Sequence, residues 1–571
     1  MKSERSWHSI GWVVVLLAIM AGLMFGPARD DSATVDETTF LTAGYSYWTG
    51  HRYYLVPDHS PLGQMLPAVP LLAMDIRLSE SVQALTAGTK GYPWAVPWKG
   101  PPAALEKLFP QGRNNWYFVS TPESQIVGQM FVFEGNNDGD KMMFAGRLIQ
   151  ILVTLGIGWL IFYWVRRVSS NDYAALVGLG LWVFNPHALA YGHLIITDPE
   201  GALGFGGALY MFALLLEQPT SRRAVLCGAI TGLALLLKYT CMLLFPMYLV
   251  LTLIYRQNLR QSPVKWWQLL GLTAGAFWAV VLVMYFPNWS APPPIQSAQA
   301  ELLGVPGWLV ALRPLLIPAD FFKVLALKIA QSSWGHDGYL MGEWSTRGWW
   351  YYFPLGFALK SPVAFLVLIG CALVLVWQRF RSMRPLELVP WVGAALYLGV
   401  SMTSRVNVGV RHLLPIVPLL CIGIACAVST VTQNLARKVI FAVLGWQAIA
   451  TVGAYPLYLQ YYSELVGGAK NGQKYLVDSN YDWGQDAKRL KQFLDERGIT
   501  HIYLNYFGTQ YSIEYLKIAN TRVSPEQARQ IKSGVLVVSA SELMRPGWDW
   551  LRATRTPMAR VAETLFVYQF P

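Results

Sequence analysis

Charged side chains are scarce in this sequence. Asp, Glu, Lys and Arg together make up 14% of its 571 residues, whereas hydrophobic residues make up 54%. The mean hydropathy is +0.33, which a water-soluble globule of this size would not tolerate. The composition therefore excludes an ordinary soluble enzyme and indicates that lipid surrounds most of the chain.

Sequence patterns for disulfides, structural zinc and bound nucleotides are absent as well. The cysteines all lie inside apolar stretches and have no Cys-x-x-Cys spacing, which argues against disulfides and zinc sites. They are Cys227, Cys241, Cys371, Cys421 and Cys426. The sequence has no GxxxxGKS/T loop, no GxGxxG after a strand and no Ser or Cys nucleophile elbow. These absences disfavour an ATP-driven pump and an enzyme that uses nucleotide sugars.

Long apolar runs, in contrast, are abundant. About eleven of them have the length of roughly 15 to 23 residues that crosses a hydrocarbon core. They lie near 9–27, 143–165, 172–192, 200–216, 224–237, 241–255, 266–287, 355–377, 388–402, 411–431 and 437–458. The first run lacks a clear small-x-small cleavage site, so we predict that it stays as an anchor. The runs predict a polytopic α-helical membrane protein.

Basic loops assign a side of the membrane to each run. Short loops rich in Lys and Arg face the cytoplasm, and here they alternate consistently if the N-terminus is inside. They contain Lys2, Arg5, Arg166, Arg167, Arg222, Arg223, Arg256, Arg260, Lys265, Arg379, Arg381, Arg384, Arg437 and Lys438. The alternation requires a hairpin with Lys238 near its outer turn, and it places the C-terminal tail outside. The net charge of +12 then reflects these loops and does not require a nucleic-acid partner.

Hydropathy divides the chain into a membrane region, 1–459, and a small soluble extracytoplasmic α/β domain, 460–571. The segments 28–141 and 288–354 are expected to be extracytoplasmic loops. Periodicity in the tail predicts one helix and three strands. The helix is expected over 486–498 and the strands over 501–507, 534–540 and 565–570.

Two acidic positions lie at the outer ends of predicted spans. Asp36 and Glu37 follow the first span, where a carboxylate can act as general base towards an acceptor hydroxyl. A solvated acid or a helix N-cap is the alternative. Asp198 and Glu200 lie between the third and fourth spans, where they can also mark a helix start.

Basic side chains form the complementary set on the same outer side. Gathered around one pocket, they would bind a phosphodiester and stabilise the charge on a leaving phosphate. Snorkelling to lipid headgroups is the alternative for each of them. They are Lys238, Lys360, Arg405, Arg411 and His412.

The order of these motifs resembles the GT-C glycosyltransferases, which include protein O-mannosyltransferases and lipid A aminoarabinose transferases. The resemblance spans the whole membrane region. It rests on Asp36-Glu37, DHSPLG (58–63), ITDP with Asp198, LLLKYT with Lys238, the segment 338–362 and NVGVRHLLPIVP (407–418). The tail segment SNYDWGQDAKRLKQFL (479–494) is similar to a block in bacterial members of uncharacterised specificity.

The resemblance implies a GT-C-like fold and a sugar donor on polyprenyl phosphate, used outside the membrane with inversion at the anomeric carbon. It implies that Asp36 is the general base and that Glu37 and Asp198 position the acceptor or donor. For the carrier phosphate it implies Lys238, Arg405 and Arg411, with Lys360 among the same cations and His59 beside the pocket. Many relatives have a second proline where this chain has Ser60.

Fixed cations can assist departure of the phosphate while one carboxylate takes the acceptor proton, so this transfer requires no cofactor. The Asp, Glu and His clusters would nevertheless allow a divalent metal. His187 and His193 are candidates for such a metal, and polar groups at a helix end are the alternative. The acceptor would be a lipid, a polysaccharide or a protein, and the location would be a bacterial inner membrane.

Two other classes of protein share some of these features. A secondary transporter or lipid flippase also has many spans and buried charges, but it usually shows two related halves and midplane sites. Here the ionisable groups gather at one face and no halves match. A noncatalytic scaffold of polysaccharide assembly is the third hypothesis, in which the acids are merely solvated.

Overall fold

A computed structural model describes residues 2–51, 53, 55–56, 58–87, 122–286, 321 and 335–571. Parts of both predicted loops, namely 88–121, 287–320 and 322–334, lie outside the described residues. The described membrane region is almost entirely helical. Its helices are α1 (Lys2–Asp30), α2 (Glu37–Gly50), α3 (Pro61–Ala68), α4 (Glu80–Ala87), α5 (Pro122–Phe133), α6 (Gly139–Ser169), α7 (Asp172–Val183), α8 (Pro186–Gly192), α9 (Asp198–Glu217), α10 (Ser221–Leu237), α11 (Leu244–Ile254), α12 (Arg256–Arg260), α13 (Trp266–Tyr285), α14 (Tyr352–Lys360), α15 (Val363–Arg379), α16 (Pro385–Ser401), α17 (Ile416–Val428) and α18 (Asn434–Val452).

Each predicted apolar run overlaps one or two of these helices. Within the described residues, 6 helices are long and apolar enough to cross a bilayer, and α7 with α8, bent by 58°, gives a seventh candidate. The predicted runs 241–255, 388–402 and 411–431 lie on shorter apolar helices, and the run 224–237 lies on α10. The polytopic helical class is confirmed, whereas the number of eleven spans stays a prediction.

Small residues let these helices approach closely, as expected where association depends on packing rather than on water. A Cβ atom added at Gly204 of α9 would lie 2.9 Å from Ala234 Cα of α10. One added at Gly228 of α10 would lie 2.0 Å from the Thr273 carbonyl oxygen of α13. Helices α9, α10 and α13 therefore form one tightly packed layer, and the start of α9 lies beside the end of α10.

Before α14, strands β1 (Gly338–Leu340) and β2 (Glu343–Ser345) form an antiparallel pair. The tail contains the elements α19 (Ala487–Glu496), β3 (Ile502–Asn505), α20 (Gln510–Tyr515), β4 (Asn520–Arg522), α21 (Pro525–Ala528), β5 (Gly534–Ser539), α22 (Ala540–Leu543), α23 (Asp549–Thr554), β6 (Ala559–Val561) and β7 (Leu565–Phe570). The three predicted strands and the predicted helix are among them. The five strands form a mixed sheet in the order β4-β3-β5-β7-β6, with β3 parallel to β4 and β5, and β7 antiparallel to β5 and β6.

The central strand β5 faces two apolar cores. Val535 and Val537 belong to a small core that also contains residues of α19. Leu536 and Val538, which alternate with them along the strand, belong to the large core that includes the membrane helices. The sheet is thus joined to the membrane region by continuous packing, and the boundary between residues 459 and 460 stays a prediction.

Candidate active site

The connection between α1 and α2 places Asp36 at the wall of a cavity. Asp36 is the N-cap residue of α2, but its side chain makes no capping hydrogen bond. Its Oδ2 instead accepts a hydrogen bond from Nη1 of Arg411 at 3.1 Å. The carboxylate remains 25% exposed. Position at a helix start is therefore compatible with a carboxylate that is available for chemistry.

The cavity has a volume of about 440 Å³, and both charged and apolar side chains line it. The acidic, basic and histidine side chains of the lining are Asp36, His59, Asp198, Lys238, Arg411 and His412. Its apolar side chains include Phe40, Met242, Leu243, Phe353 and Val400. Such a cavity can hold a ligand with an anionic head and a hydrocarbon chain.

A second ion pair lines the same cavity. Lys238 Nζ donates to Asp198 Oδ1 at 2.6 Å, and both side chains are almost fully buried. His412 Nδ1 lies 4.0 Å from the same carboxylate oxygen. The backbone explains this meeting: α10 ends at Leu237, Lys238 is extended, and α9 begins at Asp198. Asp198 is thus the partner of a cation, as well as the first residue of a helix.

His59 also lines the cavity. Its Nδ1 lies 3.4 Å from the Asp58 carboxylate, and its ring contacts Phe40 with the ring centroids 4.9 Å apart. Five of the eight predicted site residues therefore come together around one cavity. They are Asp36, Asp198, Lys238, Arg411 and His59.

Glu37 does not line the cavity. Its two carboxylate oxygens accept from Arg147, with Nε at 2.8 Å and Nη2 at 2.6 Å, and they also accept from the backbone N–H groups of Thr34 and Ile195. Burial opposes ionisation, but Arg147 outweighs it, so the pKa of Glu37 lies below its usual value. The structure places Glu37 in a buried ion pair that fixes the α1–α2 connection.

Lys360 and Arg405 also lie away from the cavity wall. The Nζ of Lys360 donates to the carbonyl oxygens of Leu459 and Asn480 at 2.8 and 2.7 Å, and it lies over the Tyr462 ring. Lys360 therefore binds the chain that leads into the tail. Arg405 is exposed, and the cavity is lined by its neighbours Ser404 and Val406 instead.

The tail contributes a residue in contact with the site that the sequence reasoning did not single out. The guanidinium of Arg411 lies over the Trp483 ring, with Cζ 4.2 Å from the ring centroid. Trp483 belongs to the SNYDWGQD segment, which carried a family resemblance but no assigned role. The sequence shows an aromatic residue among polar ones, but it does not show which basic side chain the Trp483 ring contacts.

The described residues contain no group of three or more His, Cys, Asp or Glu side chains placed to hold a metal. His193 is hydrogen-bonded to Asp31, whose Oδ2 lies 3.2 Å from His193 Nε2. The ring of His187 contacts Tyr191. The two histidines thus have separate surroundings. The expectation that the chain needs no cofactor stays a prediction.

Part of the membrane region is similar to a known family of glycosyltransferases. Residues 138–286 match the family model described as dolichyl-phosphate-mannose-protein mannosyltransferase. This segment runs from the start of α6 to the end of α13 and contains Asp198 and Lys238. A search of curated proteins finds no match.

Several solved structures align with this chain at low sequence identity. ArnT from Cupriavidus metallidurans, bound to undecaprenyl phosphate, is 13% identical over 98% of each chain, with a TM-score of 0.48. The oligosaccharyltransferase of Archaeoglobus fulgidus is 10% identical over 94% of this chain and 70% of its own, with a TM-score of 0.48. The protein O-mannosyltransferase complex Pmt1-Pmt2 of S. cerevisiae is 15% identical over 51% of this chain and 35% of its own, with a TM-score of 0.31. All three TM-scores lie below 0.5.

Proposed function

We propose that this chain transfers a sugar from a polyprenyl-phosphate donor to an acceptor hydroxyl, with inversion at the anomeric carbon. One observation carries the proposal: the Asp36 carboxylate and the cations Arg411 and Lys238 line the same cavity. The description of the matched family names a donor of this class, mannose on dolichyl phosphate.

The chemistry requires one base and several fixed positive charges. The acceptor oxygen attacks the anomeric carbon while the bond from that carbon to the carrier phosphate oxygen breaks. Asp36 takes the acceptor proton. The electron pair of the broken bond stays on the phosphate, where Arg411 and Lys238 stabilise the added charge. The products are a glycosylated acceptor and the polyprenyl phosphate.

Arg411 connects the two halves of this reaction. It donates to Asp36 through Nη1, and its planar guanidinium has further N–H donors for a phosphate. Binding of the phosphate would draw the guanidinium charge towards the anion and free the carboxylate to accept a proton. Apolar side chains that line the cavity, such as Phe40 and Leu243, would contact the first isoprene units of the carrier.

We place the reaction at the outer face of a bacterial inner membrane, with the N-terminus in the cytoplasm and the tail outside. The basic loops support this orientation through the positive-inside rule. The acceptor is proposed to be a hydroxyl of a lipid, a polysaccharide or a protein, and no metal cofactor is required by the residues that line the cavity.

The substitution Asp36→Asn tests the proposal because it keeps the shape of the side chain and removes the base. We expect sugar transfer by the purified protein to fall by roughly 100-fold or more, while the melting temperature and the binding of polyprenyl phosphate change little. Transfer is measured with a panel of polyprenyl-phosphate sugars and mass analysis of the acceptor.

A matched control is Asp75→Asn, because Asp75 is an exposed acid paired only with exposed Arg77 at 3.3 Å in the described structure. This variant should transfer sugar like the wild type. Unchanged turnover in Asp36→Asn would contradict the role of Asp36. Donor consumption without a glycosylated acceptor would reduce the proposed activity to hydrolysis.

A further inference from the structure

Trp483 supports Arg411 through the face of its ring. The ring is 2% exposed, and the Arg411 guanidinium lies over it at 4.2 Å. An arginine stacked in this way keeps the N–H donors at its edge available to an anion. Among the described residues, Arg411 Nε is buried and has no hydrogen-bond partner. The stack thus orients a cation whose donors are only partly used.

The backbone that precedes Arg411 is held by the same tail segment. Val410 N–H donates to Asn480 Oδ1 at 2.8 Å, and Ser479 Oγ donates to the Val408 carbonyl oxygen at 2.8 Å. A Cβ atom added at Gly409 would lie 2.2 Å from Ser479 Oγ. Residues 479–483, which we name the cradle, therefore enclose the backbone and the side chain of this loop.

The cradle also contacts the segment that carries Asp36. The Trp483 carbonyl oxygen accepts from the N–H of Val35 at 3.3 Å. Just after the cradle, the Gln485 carbonyl oxygen accepts from the N–H of Ser32 at 2.8 Å. Trp483 therefore contacts Arg411 through its ring and the residue that precedes Asp36 through its backbone.

Other buried groups hold the cradle itself in place. Lys360 Nζ and Tyr191 Oη donate to the carbonyl oxygens of Asn480 and Ser479 at 2.7 and 2.8 Å. The N–H of Ser541, which follows strand β5, donates to the Asp482 carboxylate at 2.8 Å. Contacts from both the membrane helices and the tail sheet fix the segment, as expected for a preorganised support.

We propose that Trp483 is a positioning residue for the phosphate site and that the tail completes this site through the cradle. The inference rests on the proposed function and deepens it, because the cation in question is the one assigned to the donor phosphate. Without the ring, Arg411 would populate several rotamers, and phosphate binding would require one of them to be selected. We expect binding to weaken by roughly 10-fold.

The test measures binding of undecaprenyl phosphate to the purified full-length protein in detergent micelles. Trp483→Leu should weaken binding by roughly 10-fold, and Trp483→Phe, which keeps a smaller aromatic face, should weaken it by only about 2-fold to 3-fold. In an Arg411→Gln background neither substitution should have a further effect, because the stacked cation is gone. This dependence on Arg411 separates positioning from general destabilisation.

Trp548→Leu is the matched control. Trp548 is a buried tryptophan of the tail, 1% exposed, and it stacks on Trp550 instead of a cation. The Trp548→Leu substitution should lower the melting temperature and leave undecaprenyl phosphate binding unchanged. If Trp483→Leu does not fold, Trp483→Phe with and without Arg411→Gln decides the question.

The inference is overturned if both Trp483 variants bind like the wild type. It is also overturned if they weaken binding equally in the presence and absence of the Arg411 side chain, or if Trp548→Leu weakens it equally. A wild type that binds undecaprenyl phosphate but transfers no sugar contradicts the proposed function alone. A wild type that does not bind it contradicts both proposals.

Discussion

The adjacent acids of the α1–α2 connection have different surroundings. Asp36 pairs with Arg411 at the cavity, whereas Glu37 pairs with Arg147 in the protein interior. Neighbouring residues at a helix start project about 100° apart, which directs these two side chains to different surroundings. The sequence identifies the pair, but the choice between them depends on a cation that lies far along the chain.

The substitution Glu37→Gln should destabilise the protein rather than change its chemistry. Arg147 is 1% exposed, and removal of its charged partner leaves a buried cation uncompensated, which costs on the order of 3–5 kcal/mol. The expected result is a large fall in melting temperature, with residual activity in proportion to the folded fraction. Thermal unfolding and activity per folded protein are measured together.

Arg147→Met in the Glu37→Gln protein provides the check on this explanation. It removes the uncompensated charge and should recover part of the lost melting temperature. If Glu37→Gln instead keeps its melting temperature and loses activity, Glu37 takes part in catalysis, as the family resemblance implies.

Buried acids of the tail should make stability depend on pH. Burial is the largest influence on Asp482 and raises its pKa from 3.8 to about 7, with Asp486 adding to the rise. Between pH 4 and 7 the folded protein therefore holds a proton that the unfolded chain has released, so stability falls as pH rises through this window. Asp482→Asn removes this contribution, so between pH 5 and 8 its free energy of unfolding should fall less than that of the wild type, by on the order of 2 kcal/mol.

The measurement compares melting temperatures at pH 5 and pH 8 for the wild type and Asp482→Asn. Asp549→Asn is the control, because Asp549 has a side chain that is 74% exposed, and it should follow the wild type. An equal fall in melting temperature for all three proteins would show that Asp482 is ionised over the whole range.

At the scale of elements, hydropathy predicted the helices because each apolar run must satisfy its own backbone in lipid. The strand-like segments of the tail predicted β3, β5 and β7, and most residues of β5 and β7 are buried. The pattern missed β4 and β6, because each has only three residues and lies at a sheet edge. Edge strands of this kind, such as Asn520–Arg522, carry polar residues and have no apolar period to detect.

The position of each element relative to the others was harder to predict than its existence. Lys360 was assigned to the phosphate group because it lies on the same predicted side as Arg411. In the structure its Nζ donates to Leu459 and Asn480. A sequence places a cation on a side of the membrane, but its partner depends on how the tail folds back over the helices.

At the scale of the whole molecule, the tail and the membrane region form one packed unit. The large apolar core includes Leu536 of the sheet together with the membrane helices, and Trp483 contacts Arg411. The domain expected from hydropathy is therefore packed against a residue that lines the cavity. Its side of the membrane then decides where the reaction takes place.

Cysteine labelling tests this orientation. Cys371 is the exposed natural cysteine and the other four are buried. Cys371→Ser therefore removes the natural cysteine that a maleimide would reach. Glu496→Cys in the tail and Arg381→Cys in a basic loop are both at exposed positions. A membrane-impermeant maleimide should label the tail variant in spheroplasts and the loop variant only after lysis, because the basic loop remains in the cytoplasm. Labelling of Arg381→Cys before lysis, with protection of Glu496→Cys, would reverse the topology and move the proposed reaction to the cytoplasmic face.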